Sequence, residues 1–206
     1  MRSSTSSLAL VMVAACGASP ATTQPAAHAT ASAGSGAPAW QAPAGWKSEV
    51  IPFPLDFAPA LAHRGVEELR FAPGMFDPSA PGYFSYAFAW RLQDSAQLTA
   101  DQLGDELTAY FRGLLVAVDG DKNRIVDPTL IELGAASHDD LFVVTGTIVD
   151  TFTTGQLVEL FGFAHRSDCP GGGALWTLAI APDGSEMLDQ VREVAMRATC
   201  DQQPAK

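Results

Sequence analysis

Basic residues are scarce in this chain: 12 Lys and Arg stand against 23 Asp and Glu in 206 residues, a formal net charge of −11. Nowhere do they cluster. Nucleic acid and anionic lipid both select concentrated Lys and Arg, whose binding releases counterions, so neither is expected as a direct partner of the folded part. Long apolar runs are missing too, and the one at residues 8–15 is far below the roughly 20 residues needed to span a bilayer. Cysteine occurs three times, at Cys16, Cys169 and Cys200, a spacing that excludes a CxxC redox pair. There is no Gly-x-Ser-x-Gly for a strained serine nucleophile. The glycine run Gly171-Gly172-Gly173 leads into a strand-like segment, whereas a phosphate-binding loop opens a helix and carries Lys with Ser or Thr.

The N-terminal segment is an address. Arg2 lies in a polar start, residues 8–15 form an apolar core, and small residues precede Cys16, which is the anatomy of an export signal. Val13-Ala14-Ala15-Cys16 resembles the lipobox of bacterial lipoproteins. That resemblance implies loss of residues 1–15, a thioether-linked diacylglyceryl group on Cys16, and the lipid bilayer as a partner through the acylated cysteine. Several acyl chains on one residue hold stably, whereas a single chain holds only reversibly. Gly17 follows the cysteine. In bacteria with two membranes that resembles sorting to the outer membrane, so the expected location is its periplasmic face or the cell surface.

Residues 17–44 are dominated by Ala, Ser, Thr, Pro and Gly and carry no charge. Such a composition buries too little apolar surface to offset its ordering entropy, so residues 16–45 are expected to form the lipid-attachment site and a disordered spacer with a reach of about 30 Å. His28 falls within it. Residues 46–202 have the length and mixed composition of one globular domain, and residues 203–206 form a tail. With Cys16 committed to lipid in a compartment that permits disulfides, Cys169 and Cys200 are expected to pair with each other.

Periodicity places the elements. Residues 46–53 read as an edge strand because Pro52 and Pro54 lack ladder donors. Residues 66–71 form a second strand, ended by the turn pair Pro73-Gly74. In residues 83–92, Phe84, Tyr86, Phe88, Trp90 and Leu92 alternate with small residues, which predicts a strand with one heavily apolar face. Thr99 and Gln102 make a capping box, and Leu103, Leu107, Tyr110 or Phe111, and Leu114 then recur on one helical face. Four further strand-like runs cover residues 130–133, 141–151, 157–165 and 174–181. A last helix starting near residues 183–185 is expected to bury Met187, Leu188, Val191, Val194, Ala195 and Ala198, with Glu193 and Arg197 paired outside. The short links imply antiparallel neighbours, hence an α+β domain: an antiparallel sheet of about six or seven strands with two helices packed on it. This element order is loosely similar to the sandwich of PsbP-like proteins, several of which are bacterial lipoproteins. The block Phe53-Pro54-Leu55-Asp56-Phe57-Ala58-Pro59, followed by Glu67-Glu68-Leu69-Arg70-Phe71-Ala72-Pro73-Gly74-Met75-Phe76, resembles a signature of bacterial exported proteins.

Candidates for chemistry are few. The run from Asp119 through Asp121, Asn123 and Asp127 resembles the first nine positions of an EF-hand loop. Arg124 replaces the turn glycine, however, and Leu130 stands where the bidentate acid belongs. It reads as a polar turn, and no metal or other cofactor is expected. His138 beside Asp139 and Asp140, and His165 near Ser167 and Asp168, are the places where histidine meets a carboxylate or hydroxyl; His63 stands in a loop beside Arg64. Glu159 is a carboxylate within an apolar strand, with Arg91 as a possible partner. Phe71, Met75 and Phe76, flanking a Pro-Gly turn, are either a contact loop for a protein or small-molecule partner or a lid on the core. These features favour a non-catalytic binding or accessory module. A hydrolase or metal-dependent enzyme built from His138, His165, Asp168 and Glu159 is the alternative, and a purely structural envelope protein is another.

Overall fold

Seven strands form one antiparallel sheet in the order β1-β2-β3-β7-β6-β5-β4. The computed structural model describes residues 40–119 and 126–202. The strands are β1 (Lys47–Phe53), β2 (Gly65–Phe71), β3 (Tyr86–Leu92), β4 (Glu132–His138), β5 (Leu141–Val149), β6 (Leu157–Asp168) and β7 (Ala174–Pro182), and the helices are α1 (Ala100–Asp119) and α2 (Leu188–Ala195). A 3-10 turn, Pro128–Leu130, precedes β4. The α+β reading therefore holds. No described helix is long and apolar enough to cross a membrane.

The period-two pattern of β3 sorts the molecule into layers. Tyr86, Phe88, Trp90 and Leu92 face α1 and join Leu103, Leu107, Tyr110, Phe111 and Leu115 in the main core. Ala87 and Ala89 face the other way, and their small size lets Val191, Val194 and Ala195 of α2 come close. The capping box forms as expected, with the Gln102 N–H donating to Thr99 Oγ1 at 3.3 Å and the Thr99 N–H to Gln102 Oε1 at 2.9 Å. Leu115, rather than Leu114, completes the buried stripe. Glu193 of α2 and Arg197, two residues beyond its end, pair on the exposed side at 3.8 Å.

α1 also covers the start of one edge of the sheet. Thr108 Oγ1 accepts from the Leu133 N–H at 2.9 Å and donates to the Leu133 carbonyl at 3.2 Å, and Arg112 donates to the Ile131 carbonyl at 2.9 and 3.1 Å. Gly104 permits this approach, since a Cβ there would lie 3.0 Å from the Leu133 oxygen. A bare edge invites pairing with another chain, and here the helix and its side chains cover the edge around Leu133.

Several expectations need correction. The spacer does not extend to residue 45: Trp40 is 2 % exposed in the α2-side core. Its indole donates to the Val194 carbonyl at 2.9 Å, its carbonyl accepts from Arg70, and the Arg70 guanidinium lies 4.3 Å from its ring centre. Strand β3 starts at Tyr86 because Phe84 adopts φ 47° in a tight turn, although its ring still joins the core. The segment at 130–133 becomes a strand later, at Glu132, because Asp127-Pro128 first winds the 3-10 turn. Strand β5 ends at Val149 and β6 continues to Asp168.

Candidate functional site

The loop that the sequence singles out for contact builds the wall of a cleft. β2 ends at Phe71 and the chain then coils through successive turns, with Met75 N–H donating to the Ala72 carbonyl at 3.0 Å and Asp77 N–H to the Gly74 carbonyl at 2.9 Å. Gly74 takes φ 82°, as the turn at Pro73-Gly74 requires. Asp77 braces the next turn, accepting from the Ser79 N–H at 2.9 Å and hydroxyl at 2.7 Å, bonds that hold its carboxyl below the usual carboxylate range. The resulting cleft of about 400 Å³ is lined by Gly45, Lys47 and residues 71–77.

The three nominated residues divide between the two roles considered for them. Met75 is 2 % exposed and folds into the core as a lid would. Phe71 is half-buried against Tyr86, with ring centres 5.6 Å apart. Phe76 is 41 % exposed, 5.7 Å from the Phe71 ring and edge-on to Phe152 at 5.4 Å. The Lys47 ammonium lies 5.7 Å from the centre of the Phe76 ring, a cation–π arrangement at the mouth of the cleft.

Asp150, which the sequence does not mark, holds this geometry. It leaves the end of β5 and gathers the backbone N–H groups of Phe152, Thr153 and Thr154 at 2.7 to 3.0 Å, both threonine hydroxyls, and the Tyr83 hydroxyl at 2.8 Å. The loop after β5 is thereby tied to the loop after β2, which sets Phe152 against Phe76. Burial alone would raise the Asp150 pKa, but these donors more than offset it and keep the carboxylate ionised far below its ordinary range.

Two other polar centres escaped the sequence reading. His63 is clasped by carboxylates from distant segments: its Nε2 lies 2.9 Å from Glu106 Oε2 on α1, and its Nδ1 lies 3.6 Å from Asp94 Oδ2. The Glu106 hydrogen bond, followed by the nearby negative charges, raises its pKa against the lowering effect of burial. In β2, Glu67 and Glu68 are both fully buried, on opposite faces of the sheet. Glu68 pairs with Arg70 at 3.3 Å and with Arg91, whose Nη1 also donates to the Thr199 carbonyl at 2.6 Å. Glu67 accepts from the Trp90 indole at 3.0 Å, beside Tyr110, while Oε2 finds no well-aligned donor. Burial pushes its pKa up to about 7.

The residues considered for catalysis are not brought together. His138 is exposed at the end of β4, next to a turn. His165 sits half-buried on β6, 3.5 Å from Ser167 Oγ, while Asp168 is exposed and pairs with Arg166 at 2.6 Å. Glu159 is exposed and accepts from the Thr147 hydroxyl at 2.9 Å, so it is neither buried nor paired with Arg91. Six strand positions separate it from His165, roughly 20 Å along β6. Of the EF-hand-like run, residues 120–125 lie outside the described residues, and Asp127 accepts from the Thr129 N–H at 2.9 Å and hydroxyl at 2.7 Å as a turn cap. Among the described residues no three His, Cys, Asp or Glu side chains gather as a metal site requires.

Cys169 and Cys200 form a disulfide, with their Cα atoms 5.3 Å apart. Gly171-Gly172-Gly173 makes the turn between Cys169 and β7, closed by the Gly172 N–H to the Cys169 carbonyl at 3.1 Å and the Cys169 N–H to the Gly173 carbonyl at 3.2 Å. It is a connector, as its sequence context implies. Cys16 precedes the described residues. No protein-family model, curated protein or solved structure matches this chain.

Proposed function

We propose that this chain is a lipid-anchored envelope protein that acts as a non-catalytic binding or accessory module, with the cleft walled by Phe71, Met75 and Phe76 as its contact site. Acylated Cys16 holds it to the bilayer, at the periplasmic face of the outer membrane or at the cell surface, and the spacer before Trp40 gives the domain its reach. The observation that carries the reading is the half-exposed Phe76 ring at the mouth of a 400 Å³ cleft, fixed from below by Phe71 and from the side by Phe152. The face of the ring that Phe71 and Phe152 do not cover stays in water on a rigid support, ready to be buried by a partner. Aromatic side chains that become fully desolvated on binding are among the groups that dominate binding energy at interfaces.

Photocrosslinking in cells tests the site. A photoreactive phenylalanine at position 76 is expected to give a discrete adduct, and one at Met196, an exposed apolar position on the opposite helical layer, is not. Equal labelling from both positions would remove the cleft from consideration. The tether is checked separately by mass spectrometry of the mature N-terminus and by fractionation of Cys16→Ala, which should leave the membrane fraction.

A further inference from the structure

We infer that the β1 edge beside this cleft is a strand-addition site for an extended, basic segment of a partner protein, one of whose aromatic or long aliphatic side chains enters the cleft. The inference rests on the reading of the cleft as the contact site and specifies what the site takes.

The sheet has two edges, and they are treated differently. At the start of β4, Thr108 occupies the outward backbone groups of Leu133, and Arg112 bonds the Ile131 carbonyl just before the strand. Among the described residues nothing comparable occurs at β1. The Ala72 N–H donates to the Ser85 carbonyl and the Gln93 N–H to the Arg64 carbonyl, so even-numbered positions along β2 bond towards β3 and odd-numbered ones towards β1. In β1 the partners of those odd positions are Lys47, Glu49, Ile51 and Phe53. Ser48, Val50 and Pro52 therefore turn their backbone outward. The N–H and C=O groups of Ser48 and Val50 have no partner among the described residues, and the Val50 side chain is 45 % exposed. Pro52 has no N–H and ends the ladder on one side. The cleft lies at the other end, where Lys47 is both the first residue of β1 and part of the cleft wall.

Unpaired strand groups in this spacing are complementary to another extended backbone, and a neighbouring pocket adds side-chain selectivity. A second copy of this chain is the poorer occupant. The twofold register that pairs Ser48 with the other copy's Val50 sets Glu49 directly against itself, the register centred on Val50 sets Ser48 against a proline that cannot donate, and the register centred on Ser48, which sets Lys47 against Glu49, places Val50 opposite Trp46, whose N–H already donates to the Pro43 carbonyl at 3.1 Å. Charge selects among foreign segments. The chain carries a net charge of −11, and Glu49 and Asp77 outnumber Lys47 at this corner, which favours a basic partner.

A random dodecapeptide library displayed on phage and panned against the full-length mature protein provides the probe, followed by anisotropy titrations of synthesised hits. Enriched peptides should be basic and carry an aromatic or long aliphatic residue. Val50→Pro deletes an outward N–H without touching a β1–β2 hydrogen bond and should weaken them at least tenfold. Independently of how that variant folds, N-methylation of alternate peptide amides should weaken binding tenfold in one phase of the alternation and leave it unchanged in the other. Failure to enrich any peptide, or binding indifferent to both Val50→Pro and N-methylation, overturns strand addition. If binding then still collapses in Phe76→Ser, the cleft stands without the edge; if Val50→Pro matters and Phe76→Ser does not, the edge stands and the cleft reading fails.

Discussion

Replacing Glu67 by Gln should make the protein more stable at pH 8 and leave it unchanged at pH 4. Glu67 is fully buried between β2 and α1, with one hydrogen bond from Trp90 and Tyr110 close by. Burial raises its pKa from the ordinary 4.5 to about 7, because the low-dielectric core disfavours the carboxylate more than the Trp90 bond favours it. Below pH 4.5 the folded and unfolded chains both hold the proton, and the group contributes nothing to the pH dependence. Between 4.5 and about 7 the unfolded chain has lost the proton while the folded chain retains it, so stability falls as pH rises. Above about 7 both forms are ionised and the penalty is complete, roughly 3 kcal/mol for a separation of this size. Glutamine keeps the acceptor for Trp90, presents its amide to the Tyr110 side, and cannot ionise. Urea denaturation of both proteins from pH 4.5 to 8.5 measures the difference directly. A Glu67→Gln gain independent of pH would refute the reasoning, since it would have to come from packing or from the unfolded chain rather than from a buried proton.

Two further outcomes follow from the polar contacts and the covalent crosslink. The His63 imidazole, followed by NMR, should titrate above 6.5 in the native chain and closer to 6.5 in Glu106→Gln; its contribution to stability is present below pH 6.5 and is lost as pH rises through the folded value, the same direction as that of Glu67. An unmoved titration in Glu106→Gln would show that the contact does not set the pKa. Replacing Cys169 and Cys200 together by Ser releases a loop of 31 residues and should cost roughly 3.5 to 4 kcal/mol in the chain-entropy argument, measurable as a lower midpoint of denaturation. A loss well under 1 kcal/mol would mean that the unfolded chain gains little freedom from the cut.

Local rules made much of the fold legible. The alternation across residues 83–92 identified an interior strand, β3, and its two unlike faces, and Thr99 with Gln102 located the start of α1, because both signals depend on residues only a few positions apart. Pairing of Cys169 with Cys200 followed from parity and compartment. Trp40 was hidden for a different reason. A single indole does not alter the composition of an Ala- and Pro-rich stretch, yet one large ring with a matching groove and an Arg70 partner is enough to extend the fold to residue 40. Glu159 draws attention because its strand is rich in Leu, Val and Phe, but α2 packs on β7 and β3, and that side of β6 remains partly exposed. Glu67 and Glu68 sit one strand in from the edge, covered on one face by the main core and on the other by Trp40 and the Arg70–Arg91 pair.

The candidate site was legible by residue but not by geometry. Phe71, Met75 and Phe76 stood out because apolar side chains flank a Pro-Gly turn, but whether such a loop lies down or stands up is decided by residues the turn does not contain. Here that decision is made by Asp150, 74 positions after Phe76 in the numbering, whose carboxylate collects three backbone donors and the Tyr83 hydroxyl. The same logic applies to His63, Glu68 and Arg166, each of which spends its charge joining segments far apart in the chain. Lys47 differs, because no carboxylate among the described residues lies within ion-pair distance of it and its ammonium rests over Phe76. The Lys47 ammonium, the half-exposed Phe76 ring and the outward backbone groups of Ser48 and Val50, which have no partner among the described residues, thus meet at one corner of the sheet. An occupant lying along β1 would cover the Phe76 ring and supply partners for the Ser48 and Val50 backbone groups.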